Sequence, residues 1–282
     1  MRPRPILSAT PTVSLAVLAL ALGTHAALKA LFFWRPYLQE VALPIETATG
    51  GLVTTVTLAG LISWAVLVGG VLLAGGGLRL ADLGLTGRSL REALPILVGL
   101  WAIAQVAHAL VGTASGGTTL AASMPSWSAA IGLRVQAVVG SGLLEETLYR
   151  GFLMVQVFAL LRVRTGREQA LAWAIVASSL YFGLNHIPAG LRAGLPLLEA
   201  VGFAGYSALV GGMFAVLYVR TGNLFVAAGA HALINDPVPL FSAPVDPSVV
   251  VLTVAAVMML AWPVLAERYR FTVGTVEGAP AI

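Results

Sequence analysis

The stretch Leu52–Ala74, LVTTVTLAGLISWAVLVGGVLLA, carries no charged residue. It is long enough to cross a bilayer core as a helix, which takes roughly 20 mostly apolar residues. Similar runs lie on both sides of it, at about Val13–Phe33, Leu94–Val111, Ala129–Leu161, Ala170–His186, Leu195–Val219, Leu224–Asn235 and Val249–Leu265. Across all 282 residues, 58% are hydrophobic and 10% charged, against about 25% charged in a soluble globular chain. The expected fold is all-α, a polytopic transmembrane bundle of about eight spans. A soluble enzyme, a disordered protein and a nucleic-acid binder are excluded as first readings. The basic pI of about 9.8 reflects a net charge of only +4, spread along the chain.

The first run follows Arg2 and Arg4 and looks like a signal peptide. It is too long for an h-region of 7–15 residues and no A-x-A site ends it, so an uncleaved first span is expected. Arg79, Arg88, Arg91, Arg162, Arg164, Arg167, Arg220, Arg268 and Arg270 fall on the same side as Arg2 and Arg4 when the N-terminus is inside, with Arg35 and Arg192 outside and Arg134 near the outer edge. The positive-inside rule then expects both termini to be cytoplasmic. The expected organisation is one membrane domain, 1–282, with a functional core at 129–236 and a short cytoplasmic tail at 267–282. The linker Leu78–Glu92 is expected to lie along the interface as a short helix, Gly112–Ser128 to be a loop, and Arg220-Thr221-Gly222-Asn223 to be a tight turn. No cysteine is present, which excludes disulfides, thiolate metal sites and cysteine nucleophiles.

Ionisable groups inside a bilayer are costly and rare, and each is a candidate functional residue. In Glu145-Glu146-Thr147-Leu148-Tyr149-Arg150, Glu146 and Arg150 are i,i+4 and about 40° apart around a helix, so they can pair. Glu145 points elsewhere and is the carboxylate left for chemistry. Phe182 and His186 repeat the i,i+4 spacing, as do His231 and Asn235. Taken singly, each group has a structural alternative: one buried network for Glu145, Glu146 and Arg150, an interfacial anchor or a satisfied core group for His186, a helix–helix hydrogen bond for His231 and Asn235. His25 and Lys29, also i,i+4, are expected to snorkel toward the interface. His108 is expected to be interfacial, and Glu199 to make a helix contact or line the path of a substrate.

A carboxylate, two imidazoles and an amide in an apolar cavity suit the activation of water and the stabilisation of an oxyanion, which fits peptide hydrolysis inside the membrane. Other intramembrane hydrolases lack their letters here. There is no H-E-x-x-H; the aspartates Asp82, Asp236 and Asp246 lie in or beside loops; and Val139-Gly140-Ser141-Gly142 lacks the first glycine of G-x-S-G.

Glu145-Glu146…Arg150, Phe182…His186 and His231…Asn235, in that order, resemble the signature of the CPBP family, the CAAX proteases and bacteriocin-processing enzymes also called the ABI family. The resemblance covers about Arg134–Asp236 and includes Leu217-Tyr218…Thr221-Gly222-Asn223-Leu224. It implies a metal-independent intramembrane glutamate endopeptidase with no cofactor. Glu145 would be the general base, His186 would orient the water, and His231 with Asn235 would form the oxyanion hole. Glu146 and Arg150 would brace the base and Phe182 would pack beside it. The implied partners are the lipid bilayer and a membrane-anchored or prenylated protein substrate, with no nucleic acid; the implied location is a bacterial inner membrane. Removal of a CAAX tripeptide, bacteriocin processing or self-immunity, and C-terminal sorting of the myxosortase type all remain open. So do a non-enzymatic scaffold on the same fold, and a metal-dependent hydrolase or proton-coupled transporter using the same polar groups.

Overall fold

A computed structural model describes residues 10–34, 36–117, 119–120 and 126–269. Arg2, Arg4, Arg35 and Arg270 lie outside the described residues, as does the expected tail from residue 270 onward. The helices are α1 (Leu15–Trp34), α2 (Pro36–Ala48), α3 (Thr55–Gly75), α4 (Gly87–Ala114), α5 (Trp127–Thr165), α6 (Arg167–Leu184), α7 (Ile187–Arg192), α8 (Leu197–Thr221), α9 (Leu224–Asn235) and α10 (Pro247–Tyr269). The chain is an all-α polytopic bundle. Large apolar side chains such as Leu110, Leu198, Leu209 and Leu260 face outward, as a lipid-facing surface requires. The interior joins α3, α5 and α6 through Leu67, Leu72, Leu148, Tyr149, Phe152 and Phe182. Lipid tails are as apolar as leucine, so such packing is held by close contact and by small residues rather than by the hydrophobic effect. Between α6 and α8 a Cβ on Gly183 would run into the Ala204 carbonyl oxygen.

Among the described residues, seven helices are long and apolar enough to cross a membrane, and the expected seventh span is not one of them. It is α9, only 12 residues long. From Asn223 to Val245 the chain runs alongside α4, first as α9 and then as non-helical backbone. Near one end Asn223 Nδ2 donates to the Ser89 carbonyl at 2.8 Å. Further along, Trp101 Nε1 donates to the Val238 carbonyl at 3.4 Å, and the Leu240 N–H donates to Gln105 Oε1 at 2.8 Å. At the far end His108 Nε2 donates to the Val245 carbonyl at 3.2 Å. Non-helical backbone is tolerated at membrane depth only where protein satisfies its polar groups. Trp101, Gln105 and His108 do so here, which corrects the interfacial reading of His108: it is buried. Gln105→Leu keeps the bulk but strands the Leu240 N–H. It is expected to cost about 1–3 kcal/mol, read as a lower melting temperature in detergent.

The same segment forms a short antiparallel ribbon, Thr119 and Leu120 opposite Ser242 and Phe241, so the loop after α4 is pinned to the one after α9. The tight turn stands as expected. Gly222, at φ +63°, ends α8 in the left-handed region, and Asn223 caps α9 by accepting from the Phe225 N–H at 3.0 Å. The linker is not one short helix. A 3-10 turn at Leu80–Leu83 tucks Leu78 and Leu83 into the core, and Thr86 caps α4, which starts at Gly87 rather than Leu94.

Candidate active site

The site is built on the middle of α5. Two π-helical stretches, Gln136–Gly142 and Thr147–Met154, flank the single α-turn Leu143–Glu146. Such widened turns are rare and concentrate at functional sites. Glu145 and Glu146, adjacent on the α-turn between them, meet different neighbours.

Glu146 sits at the structural centre. Its Oε1 accepts from Arg150 NH1 at 2.8 Å and from His231 Nδ1 at 2.9 Å, tying α5 to α9. Arg150 is fully buried; its NH2 donates to the Gly211 carbonyl, and its guanidinium lies 4.9 Å from the Phe182 ring centroid and 5.7 Å from that of Phe214. These rings shield the cation while their faces attract it. Phe214 also stacks on His231 at 4.7 Å, and Phe182 meets that imidazole edge-on at 5.7 Å. The His231 ring is thus held on three sides.

Glu145, also buried, faces the remaining nitrogen. Its Oε2 lies 3.9 Å from His231 Nε2, too far for a hydrogen bond and within the reach of one bridging water. Its Oε1 is 2.6 Å from Lys29 Nζ of α1. His186 lies within electrostatic range of Glu145, with its ring 4.5 Å from that of Phe182 and 5.9 Å from that of Phe203. Its Nδ1 is 2.8 Å from the Phe182 carbonyl, which can only accept, so Nδ1 carries the proton and Nε2 is left as an acceptor. Asn235 lies one helical turn beyond His231 and is exposed; its Nδ2 donates to Ser141 Oγ at 3.2 Å. The cluster therefore brings Glu145, Glu146, Arg150, Phe182 and His231 into direct contact. Asn235 stands on the next rung, paired with Ser141.

Two glycines make this approach possible. A Cβ on Gly142 would lie 2.8 Å from the Ala228 carbonyl and 3.2 Å from the Ala232 nitrogen, and one on Gly211 would lie 2.9 Å from Phe182 and 3.0 Å from Arg150. Gly142→Val is expected to push α9 off α5 at a cost of about 1–3 kcal/mol. It should reduce turnover by more than the loss of folded protein explains, because His231 moves with α9; melting curves and activity per folded molecule check this.

Lys29 is the residue that sequence reasoning missed. The snorkelling expected of His25 and Lys29 does not occur. His25 is buried beside Tyr149, with Tyr149 Oη 3.5 Å from its Nε2, and Lys29 turns inward to Glu145. The available signal was a charged i,i+4 pair in the first span that contains the chain's single lysine. Glu199 is exposed in the first turn of α8, where its charge complements the helix dipole, and it takes no part in the cluster. Arg134 pairs with Asp236 at 3.3 Å. Among the described residues, no group of three or more His, Cys, Asp or Glu is placed to hold a metal ion.

The fold and the cluster together define an integral, multi-pass membrane protein with a buried glutamate–histidine centre inside its bundle. Residues 125–235 match the family model described as Rce1-like, type II CAAX prenyl endopeptidase. This stretch carries all three motifs and is similar to the CAAX protease (CPBP) family of membrane endopeptidases. No curated protein and no solved structure matches the chain.

Proposed function

We propose that the protein is a metal-independent intramembrane endopeptidase in which Glu145 activates water against a peptide bond of a membrane-anchored or prenylated protein. The observation that carries this reading is that Glu145 Oε2 and His231 Nε2 face each other at 3.9 Å, so that one water lying beside them can bond to both, while Glu146 is held through Oε1 by Arg150 and His231. Glu145 takes one proton from the water as its oxygen attacks the carbonyl carbon. The carbonyl oxygen becomes an oxyanion. The C–N bond then breaks, and the proton on Glu145 passes to the leaving amine.

His186, with Nε2 free to accept, orients the water. Glu146 holds the Nδ1 proton of His231, so Nε2 faces the reacting space. When that nitrogen also carries a proton it donates to the oxyanion, and the Asn235 amide supplies a second donor one turn away. Metal independence is supported by the Lys29 ammonium on Glu145 Oε1, which would repel a divalent cation there.

The orientation proposed has both termini cytoplasmic, in a bacterial inner membrane. It is supported by the shared end of the bundle on which Leu85, Leu161, Ala170 and Leu224 pack, beside the basic segments at Arg79–Arg91, Arg162–Arg167 and Arg220. It is also supported by the return of the chain along α4 after α9, which keeps the number of crossings even.

The test compares the C-terminal peptides of membrane proteins from cells holding the wild-type chain or Glu145→Gln at equal abundance, with a chelator arm on isolated membranes. New C-termini made only by the wild type, with or without chelator, are expected. Identical peptide sets would point to the non-enzymatic scaffold instead, and loss of cleavage on chelation, restored by zinc, to a metal enzyme.

A further inference from the structure

We propose that Lys29 is a positioning residue of the site, whose ammonium anchors one oxygen of Glu145 so that the other is presented to the water beside His231. The inference rests on the reading of Glu145 as the base and adds a residue outside the segment matched by the family model, which begins at 125.

Its grounds are geometric. Lys29 Nζ and Glu145 Oε1 are 2.6 Å apart, and their side chains are 19% and 7% exposed. Oε1 is thereby committed, and Oε2 is the oxygen left facing His231 Nε2 at 3.9 Å. A carboxylate on a three-torsion side chain has many orientations, and a fixed ammonium selects among them. The competing cations are already used: Arg150 is fully buried and spent on Glu146 and the Gly211 carbonyl. Lysine and glutamate are each costly inside a membrane, and a long lysine near a helix end can ordinarily reach the interface. Lys29 instead turns inward.

The alternative is that the pair merely ties α1 to the bundle. A second tether separates the two roles. Tyr181 Oη donates to the Leu22 carbonyl of α1 at 2.8 Å and touches neither Glu145 nor His231 through any hydrogen bond described. Tyr181→Phe removes that one hydrogen bond to α1 and leaves the hydrogen bond between Lys29 and Glu145 in place.

The experiment measures kcat and KM in liposomes for the full-length wild type, Lys29→Met, Lys29→Arg, Tyr181→Phe and Glu145→Ala, normalised to folded protein. The substrate is a membrane peptide identified by the C-terminal comparison above. Lys29→Met is expected to lower kcat by about 10–100-fold, the scale of a misplaced catalytic group, with KM little changed. Lys29→Arg should recover most of that loss, and Tyr181→Phe should match the wild type. A Lys29→Met enzyme with wild-type kcat beside an inactive Glu145→Ala overturns the role of Lys29 and leaves the proposed function standing. Equal losses in Tyr181→Phe and Lys29→Met reduce Lys29 to a tether. An active Glu145→Ala overturns the base itself, and the inference with it.

Discussion

Glu145→Gln is expected to slow cleavage by about 10²–10⁴-fold, the contribution of a positioned general base, while the protein folds and melts close to the wild type. Glutamine keeps the shape and can still accept from Lys29, so the loss isolates the proton acceptor from the packing. No neighbour can substitute. Glu146 shares its bonded oxygen between Arg150 at 2.8 Å and His231 at 2.9 Å. Asp82 is bound to Arg79 and Asp236 to Arg134. Turnover by purified protein in liposomes, alongside a melting curve, checks the result.

Arg150→Met is expected to act through stability. Arg150 and Glu146 are both fully buried and joined by one ion pair. Removing one partner of such a pair leaves an uncompensated charge and costs about 3–5 kcal/mol, so the variant should melt far below the wild type or fail to accumulate. Adding Glu146→Leu should recover part of the stability, since both charges are then gone. Cleavage should not return with it, because Glu146 also holds Nδ1 of His231 and sets the direction of Nε2. Thermal melts and turnover of the single and double variants separate the two effects. A single variant as stable as the wild type would contradict the account of Arg150.

Much of the site was legible because helix periodicity is local. The four-residue spacing of Glu146 and Arg150 predicts their pairing and assigns Glu145 to a different neighbour, and both hold. The same spacing puts His231 and Asn235 on one face of α9. What could not be read depends on partners distant in the chain. Lys29 and Glu145 are 116 positions apart, and nothing near Lys29 announces a counter-ion. The snorkelling expectation was the local answer, and a tertiary contact overrode it. The short α9 has the bounds expected for it, but the chain beyond it was not legible, because Trp101, Gln105 and His108, which hold that non-helical stretch, sit on another helix. The π-helical turns leave no mark in residue pattern. They lie on either side of the turn that carries the two glutamates, and Gly142, the last residue of the first stretch, lets α9 approach.

The central claim is that Glu145 delivers a water oxygen to a peptide carbonyl. It is tested most directly by running the cleavage in water enriched in oxygen-18 and reading the mass of the newly formed C-terminus. The wild-type enzyme is predicted to place one labelled oxygen in that carboxylate, and Glu145→Gln to yield almost no labelled product at equal amounts of folded protein. Labelled product at the same rate from both would contradict the account.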